Sequence, residues 1–395
     1  MSAAWQCRVA YLLATTGVIQ ASHADQVYFL GLGDLPGGSS FHSVAGDISA
    51  DGTTVVGRST GVNGSEAFRW TAAGGMVGIG DLPGGDFWSG ARAVSADGSV
   101  VAGSSDSSQS SASCDACTEA FRWTGEGGIE GLGDFWGGDF ASQATGISGD
   151  GSFVVGRGDP DEIGPHVLAF GWTRQDGLFQ LGDLPGGRID SIANAVSSDG
   201  STVVGWAESD DGTEAFRWTA QEGMVGLGDL PGGRFSSNAK AVSADGSVIV
   251  GAGDVGYYEG HVFRWTQQQG LVDLGFTATP QDVSADGSVI VGDAGGGAFI
   301  WDQTHGFRFL HDIITAHGID MGDWQLAFVH GVSADGRTIV GTAYHDNLIE
   351  AWIAHIPEPT TLPLFVLAML LATRRRPRRT VAQRSPSEGG EPIQH

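Results

Sequence analysis

Between residues 27 and 354, short apolar runs of strand length alternate with glycine-centred polar breaks, and one order of segments returns seven times. Its first landmark is [Val/Ile]-Ser-x-Asp-Gly, with Asp at 51, 97, 150, 199, 245, 286 and 335, spaced by 46, 53, 49, 46, 41 and 49 residues. Each is followed by an apolar run ending in Gly57, Gly103, Gly156, Gly205, Gly251, Gly292 or Gly341. An aromatic segment comes next, with Trp70, Trp123, Trp172, Trp218, Trp265, Trp301 or Trp352. Six units then show a fourth segment, such as Gly75-Met76-Val77-Gly78-Ile79-Gly80-Asp81.

An Asp-Gly pair between two apolar runs predicts a hairpin turn. Glycine tolerates the positive φ of such a turn, and Asp and Ser can bond local amides. The recurrent Asp residues are therefore expected to be scaffold rather than catalytic acids. The Trp strand is expected to bury its ring between neighbouring sheets. Four strands per unit at this spacing predict an all-β fold, a seven-bladed β-propeller of four-stranded blades over 25–356. The last unit stops after Glu350-Ala351-Trp352-Ile353, and 27–34 reads as an orphan fourth strand. Pairing the two would close the ring and remove its open edges. An open β-solenoid is the alternative, and it has no need of this overhang. Asp312 to Gly318, flanked by His311 and His317, reads as a helical insertion.

The ends have a different texture. Residues 1–24 combine Arg8, an apolar stretch from Val9 to Ile19 and Ala-Ser-His-Ala at 21–24, the pattern of a signal peptide. Near the other end stand Pro357-Glu358-Pro359, an apolar run from Leu362 to Ala372, and Arg374, Arg375, Arg376, Arg378 and Arg379. The apolar run is short beside the roughly 20 residues of a stable span, and the arginines favour the cytoplasmic side. Transient membrane insertion with the main domain outside is the expectation, and a plain single-pass anchor is the alternative. A polar tail, 380–395, follows.

Charge narrows the partners. The chain carries 20 basic and 46 acidic residues; setting aside Arg8 and, from 357 on, six Arg and three Glu leaves 13 basic and 43 acidic in the repeat region. Nucleic acid is disfavoured, because phosphate binding needs clustered Lys or Arg, and Lys240 is the only lysine. Cys114 and Cys117 form a lone C-x-x-C in a Ser-rich insertion; outside the cytoplasm a local disulfide is the expectation. No H-E-x-x-H pair marks a metal hydrolase, and no catalytic constellation stands out.

Function, if it lies in loops, should lie on the face carrying the Asp-Leu-Pro-Gly-Gly loops and the insertions at 104–118, 157–166 and 252–260. Trp88, Trp136, Trp206, Tyr257 and Tyr258 are candidate ligand-binding residues there, since aromatic rings beside carboxylates suit sugar faces. The alternative is that they pack neighbouring loops. Asp34, Asp81, Asp134, Asp183 and Asp229 end fourth strands in register. They could cap the Pro-Gly-Gly turns or bind Ca²⁺.

The repeats resemble the HAF-repeat family of extracellular proteins over residues 27–354. The resemblance rests on Glu-Ala-Phe-Arg-Trp at 66–70, 119–123 and 214–218, on His-Val-Phe-Arg-Trp at 261–265, and on Gly-Leu-Gly-Asp-Leu-Pro-Gly-Gly at 31–38 and 226–233. The family's His is mostly Glu here. Residues 357–379 resemble the PEP-CTERM sorting signal, with Pro357, Glu358, Pro359, Arg374, Arg375 and Arg376 as its marks, although the polar tail extends past the usual end. These resemblances imply export, processing by an exosortase-type protease and a place at the bacterial cell surface or in a biofilm matrix. Together the readings point to a non-enzymatic surface protein that binds polysaccharide or protein partners. A secreted propeller hydrolase or lyase acting on polysaccharide is the second reading.

Overall fold

The computed structural model describes residues 26–109, 118–135, 140–160, 167–256 and 260–357. They form a seven-bladed β-propeller of four-stranded antiparallel sheets. In six blades the strands run in chain order from an inner to an outer strand; in the seventh the outer strand is the first of the chain. The inner strands are Ser43–Ile48, Ser89–Val94, Ser142–Ile147, Ser191–Val196, Ser237–Val242, Thr279–Val283 and Gln325–Val332. Blades 1 to 7 are named in this order.

The Asp-Gly turns are scaffold. Ser49 Oγ donates to Asp51 Oδ1 at 2.6 Å and accepts the Thr54 amide at 3.0 Å. The same two bonds recur in all seven turns. The turn glycines have φ of 70° to 74°, which explains the invariant Gly after each Asp. The turns also join one another. The Ala50 amide donates to the Ala96 carbonyl, Ala96 to Gly149, Gly149 to Ser198, Asp199 to Ala244, Ala244 to Ala285, Ala285 to Ala334, and Ala334 back to Ala50. A closed circuit of backbone hydrogen bonds thus links all seven blades on this face.

The core is layered between blades. Seven apolar clusters fill the seven interfaces, each drawing residues from two adjacent blades. The deepest rings are Phe68, Phe121, Phe170, Phe216, Phe263, Phe299 and Trp352, all at 0% exposure. Each lies over the glycine that ends the preceding apolar run. A Cβ on Gly57 would sit 2.1 Å from the Val44 carbonyl oxygen and 2.9 Å from the Phe68 ring. The other six run-ending glycines are as tightly placed.

This arrangement corrects the aromatic column. The fully buried ring is the Phe two residues before the Trp; Trp123, Trp218, Trp265 and Trp301 are only half-buried. Trp352 belongs to the Phe column, because it pairs with Gly341 as Phe68 pairs with Gly57. Ala354 takes the Trp position of blade 7, opposite Ile339.

The outer strand of blade 7 is Tyr28–Gly31, paired antiparallel with Leu348–His355 in the register Tyr28↔His355 to Gly31↔Trp352. The ring is therefore closed by the N-terminal strand. The helix Leu310–Ala316 follows the outer strand of blade 6, where the insertion was expected. No helix among the described residues is long and apolar enough to cross a membrane. The chain divides after Ile356. The signal segment 1–24, Cys114, Cys117 and the sorting motif beyond Pro357 lie outside the described residues.

Candidate functional site in the central channel

Each inner strand carries a β-bulge at the same place. In blade 1 the register slips between Ala45 and Asp47, leaving Gly46 as the extra residue. Bulges bend a strand and re-aim a side chain. Here the extra residues are Gly46, Arg92, Thr145, Asn194, Lys240, Gln281 and His330, one per blade, and all seven line one cavity of about 350 Å³. The ring holds seven different residues, as does the position two before it, which reads Val44, Gly90, Gln143, Ile192, Asn238, Thr279 and Phe328.

Beyond the ring, the lining of the cavity is drawn from blades 1 and 2. Gly46 adds no side chain, and a Cβ there would lie 2.3 Å from the Ala91 carbonyl oxygen. The lip on this side is built by Arg58, Trp88 and Ser104. The Arg58 guanidinium lies 5.9 Å from the centre of the Trp88 ring, within cation–π range.

The neutral ring members are tied to the scaffold through their donors. Thr145 Oγ1 donates to the Ala193 carbonyl at 2.7 Å. Asn194 Nδ2 donates to Asn238 Oδ1 and the Ala239 carbonyl, and Gln281 Nε2 donates to Asp293 Oδ2. The cations differ. Among the described residues, no hydrogen bond or ion pair reaches the Arg92 guanidinium or the Lys240 ammonium. Burial lowers the pKa of both, and the charges of Arg157 and Arg58 depress Arg92 further. Among the described residues no carboxylate offsets either group. His330 is held at about 4 by burial and by the Arg92 charge, so it is neutral at pH 7; its Nε2 lies 3.2 Å from Thr342 Oγ1. His42 is also lowered, by burial and then by Arg58. In a domain with far more acids than bases, the channel is a basic island.

One residue further toward the Asp-Gly turns lie two buried carboxylates. Asp47 accepts the amides of Ile48 and Val94, and Asp282 those of Val283 and Val332. Burial pushes Asp282 up to about 6, and burial, then the Asp282 charge, raises Asp47 well above its ordinary value. Each stitches its own blade to the next.

Of the sequence candidates, Trp88 stands at the cavity lip. Trp206 sits on the second strand of blade 4, opposite Ile192, in the column that holds Arg58 in blade 1 and Arg157 in blade 3. Trp136, Tyr257 and Tyr258 lie outside the described residues. Three of the in-register Asp residues cap their loops: Asp134 accepts the amides of Phe135 and Ala141, Asp183 that of Asp190, and Asp229 those of Leu230 and Ser236. One trio among the described residues brings metal-binding atoms together at the rim: Asp323, His345 and Asp346, within 4.8 Å of one another.

The channel ring was missed from sequence. Its signal was nonetheless there: the fifth residue before each repeated Asp reads Gly, Arg, Thr, Asn, Lys, Gln and His, shortly before the constant Ser-x-Asp-Gly turn.

No family model matches this chain, and no curated protein matches it either. Solved structures do. An oligogalacturonate lyase in complex with manganese aligns over 84% of this chain and 97% of its own, at 13% identity and a TM-score of 0.53. An oligogalacturonate lyase from Vibrio parahaemolyticus aligns over the same shares at 10% identity and a TM-score of 0.50. TolB from Acinetobacter baumannii aligns over 67% of this chain at 12% identity and a TM-score of 0.44; the match spans 62% of the TolB chain. At these identities the likeness is one of fold.

Proposed function

We propose that the protein is an exported, surface- or matrix-associated propeller that binds polysaccharide at its channel mouth without turning it over. The observation that carries this reading is the bulge ring: seven different residues, one from each blade, line a single cavity, and Trp88 stands at its lip. A half-buried indole beside polar groups suits the face of a sugar ring. The repeated carboxylates are largely engaged in turns and caps, which leaves the channel as the place where the units are individual. The N-terminal segment and the Pro-Glu-Pro tail support export and processing by an exosortase-type protease, as in HAF-repeat proteins with PEP-CTERM signals.

The test is affinity electrophoresis of the full chain in gels containing single polysaccharides. Trp88→Ala should lose most of the retardation that the parent shows, while the exposed-site variant Val62→Ala should keep it. Equal retardation of Trp88→Ala and parent on every retained polymer would overturn the channel assignment.

A lyase or hydrolase is the second reading, favoured by one observation: a neutral imidazole, His330, next to the Arg92 charge. A base beside a cation that can neutralise a sugar carboxylate suits β-elimination. Release of unsaturated or reducing-end products by the parent, and its loss in His330→Gln, would replace the binding-only reading.

A further inference from the structure

Taking the channel-mouth reading as its basis, we infer that the ligand is an acidic saccharide, whose uronate-type carboxylates are held by Arg92 and Lys240 with Arg58 at the lip. Arg92 is exposed and Lys240 half-buried in one channel; directing like charges into one cavity without a counter-charge is unfavourable, and folding does not require it here. Blades 3 and 4 place Thr145 and Asn194 at the same bulge, so the scaffold accepts small neutral residues. The only lysine of the chain nevertheless stands at this position in blade 5, and an arginine in blade 2. Acids outnumber bases by about three to one in the repeat region, yet no carboxylate pairs with either cation among the described residues. A site that keeps unpaired donors in one channel is built for an anion supplied from outside.

The remaining chemistry narrows the class. Thr145, Asn194 and Gln281 spend their donors on the protein. Their free acceptor capacity suits hydroxyl donors, not phosphate or sulfate oxygens. Trp88 offers a flat apolar surface beside Arg58. Hydroxyls, a ring face and a carboxylate occur together in a uronic acid residue. A cavity of about 350 Å³ is small for a ligand site, so it would take a chain end or a short stretch rather than a folded partner.

The test uses calorimetric titration of the full chain with four probes: a galacturonate oligosaccharide, its methyl ester, a sulfated neutral oligosaccharide and an oligoglutamate peptide. The galacturonate should bind best and weaken with added salt. Its ester, which keeps the ring faces but loses the charge, should bind about tenfold or more weaker. Arg92→Gln and Lys240→Gln should each cost about tenfold on the acid and little on the ester. Both variants should melt no lower than the parent, because they remove a charge the apo-protein does not pair. Equal affinity for acid and ester, lost in Trp88→Ala, would overturn the charge assignment and leave the channel reading standing. A preference for the sulfated probe or for oligoglutamate would overturn the uronate class. Binding of acid that survives both cation substitutions and Trp88→Ala would overturn the channel reading itself.

Discussion

The Gly33 amide donates to Glu350 Oε1 at 3.1 Å across 317 residues of sequence. The same bond is local elsewhere: Glu66 accepts the Gly80 amide, Glu119 that of Gly133 and Glu214 that of Gly228. Blade 7 thus reproduces, between the two ends of the domain, a contact that other blades make within themselves. Ser43 completes it by donating to the Gly33 carbonyl and accepting the Ala351 amide.

Removing residues 25–34 should therefore expose the edge strand Leu348–His355 and uncover the Trp352 layer. The expected result is a marked fall in melting temperature together with concentration-dependent self-association, read by scanning calorimetry and light scattering. Glu350→Ala, which leaves the strand in place, should cost about 1–3 kcal/mol. A truncated protein as stable and monomeric as the parent would show that the closing strand is dispensable.

The fold was legible because each unit repeats its turn chemistry in order, and because the overhang at one end supplies the strand missing at the other. The blade count and the closing strand follow from those facts. Trp352 was placed in the wrong column because a Trp at the Phe position looks, in sequence, like a Trp at its usual one. The channel was not legible by the same reasoning. Its residues sit in bulges, where the period-two alternation of a strand breaks, and their mark is difference rather than recurrence. Arg92 and Lys240 stand far apart in sequence, and only the ring geometry brings them to one cavity.

Packing between glycine and aromatic ring sets a second expectation. Gly57→Ala drives a methyl into the Val44 carbonyl and the Phe68 ring, and should cost about 3 kcal/mol in urea unfolding. Phe68→Ala should cost about 3–5 kcal/mol through the cavity it opens. Trp352→Phe, which installs the ring used by the other six blades, should cost only about 1–2 kcal/mol. A Trp352 variant as damaging as Phe68→Ala would contradict the shared column.

His330 gives a pH expectation with a definite sign. Its pKa is about 4 in the folded protein, and about 6.5 is ordinary for the unfolded chain. The unfolded state then binds the extra proton between these values, so this site makes stability rise with pH from about 4 to 6.5. Asp282, raised to about 6, acts in the opposite sense over an overlapping range. The whole-protein curve mixes the two, and the comparison of parent with His330→Gln separates them. The variant should lose less stability than the parent between pH 7 and pH 4.5, by about 1–3 kcal/mol. Parallel curves would mean that His330 titrates normally.

At lower pH the Asp-Gly turns should take over. Asp97 is held at about 2, first by the Ser99 hydroxyl, then by the Ser99 amide and the Ser95 hydroxyl. Hydroxyl donors likewise lower Asp150, Asp245 and Asp286. A carboxyl with a depressed folded pKa stabilises the protein above its ordinary value of about 4, and that contribution is lost as pH falls through the folded value. Acid unfolding should therefore steepen between about pH 4 and 2, below the window in which His330 acts. Ser99→Ala removes the leading donor to Asp97 and leaves the Ser95 bond intact. Its urea midpoint should approach that of the parent at pH 2.5 while lying below it at pH 6. A deficit of equal size at both pH values would show that the hydroxyl stabilises the turn without favouring the ionised carboxylate.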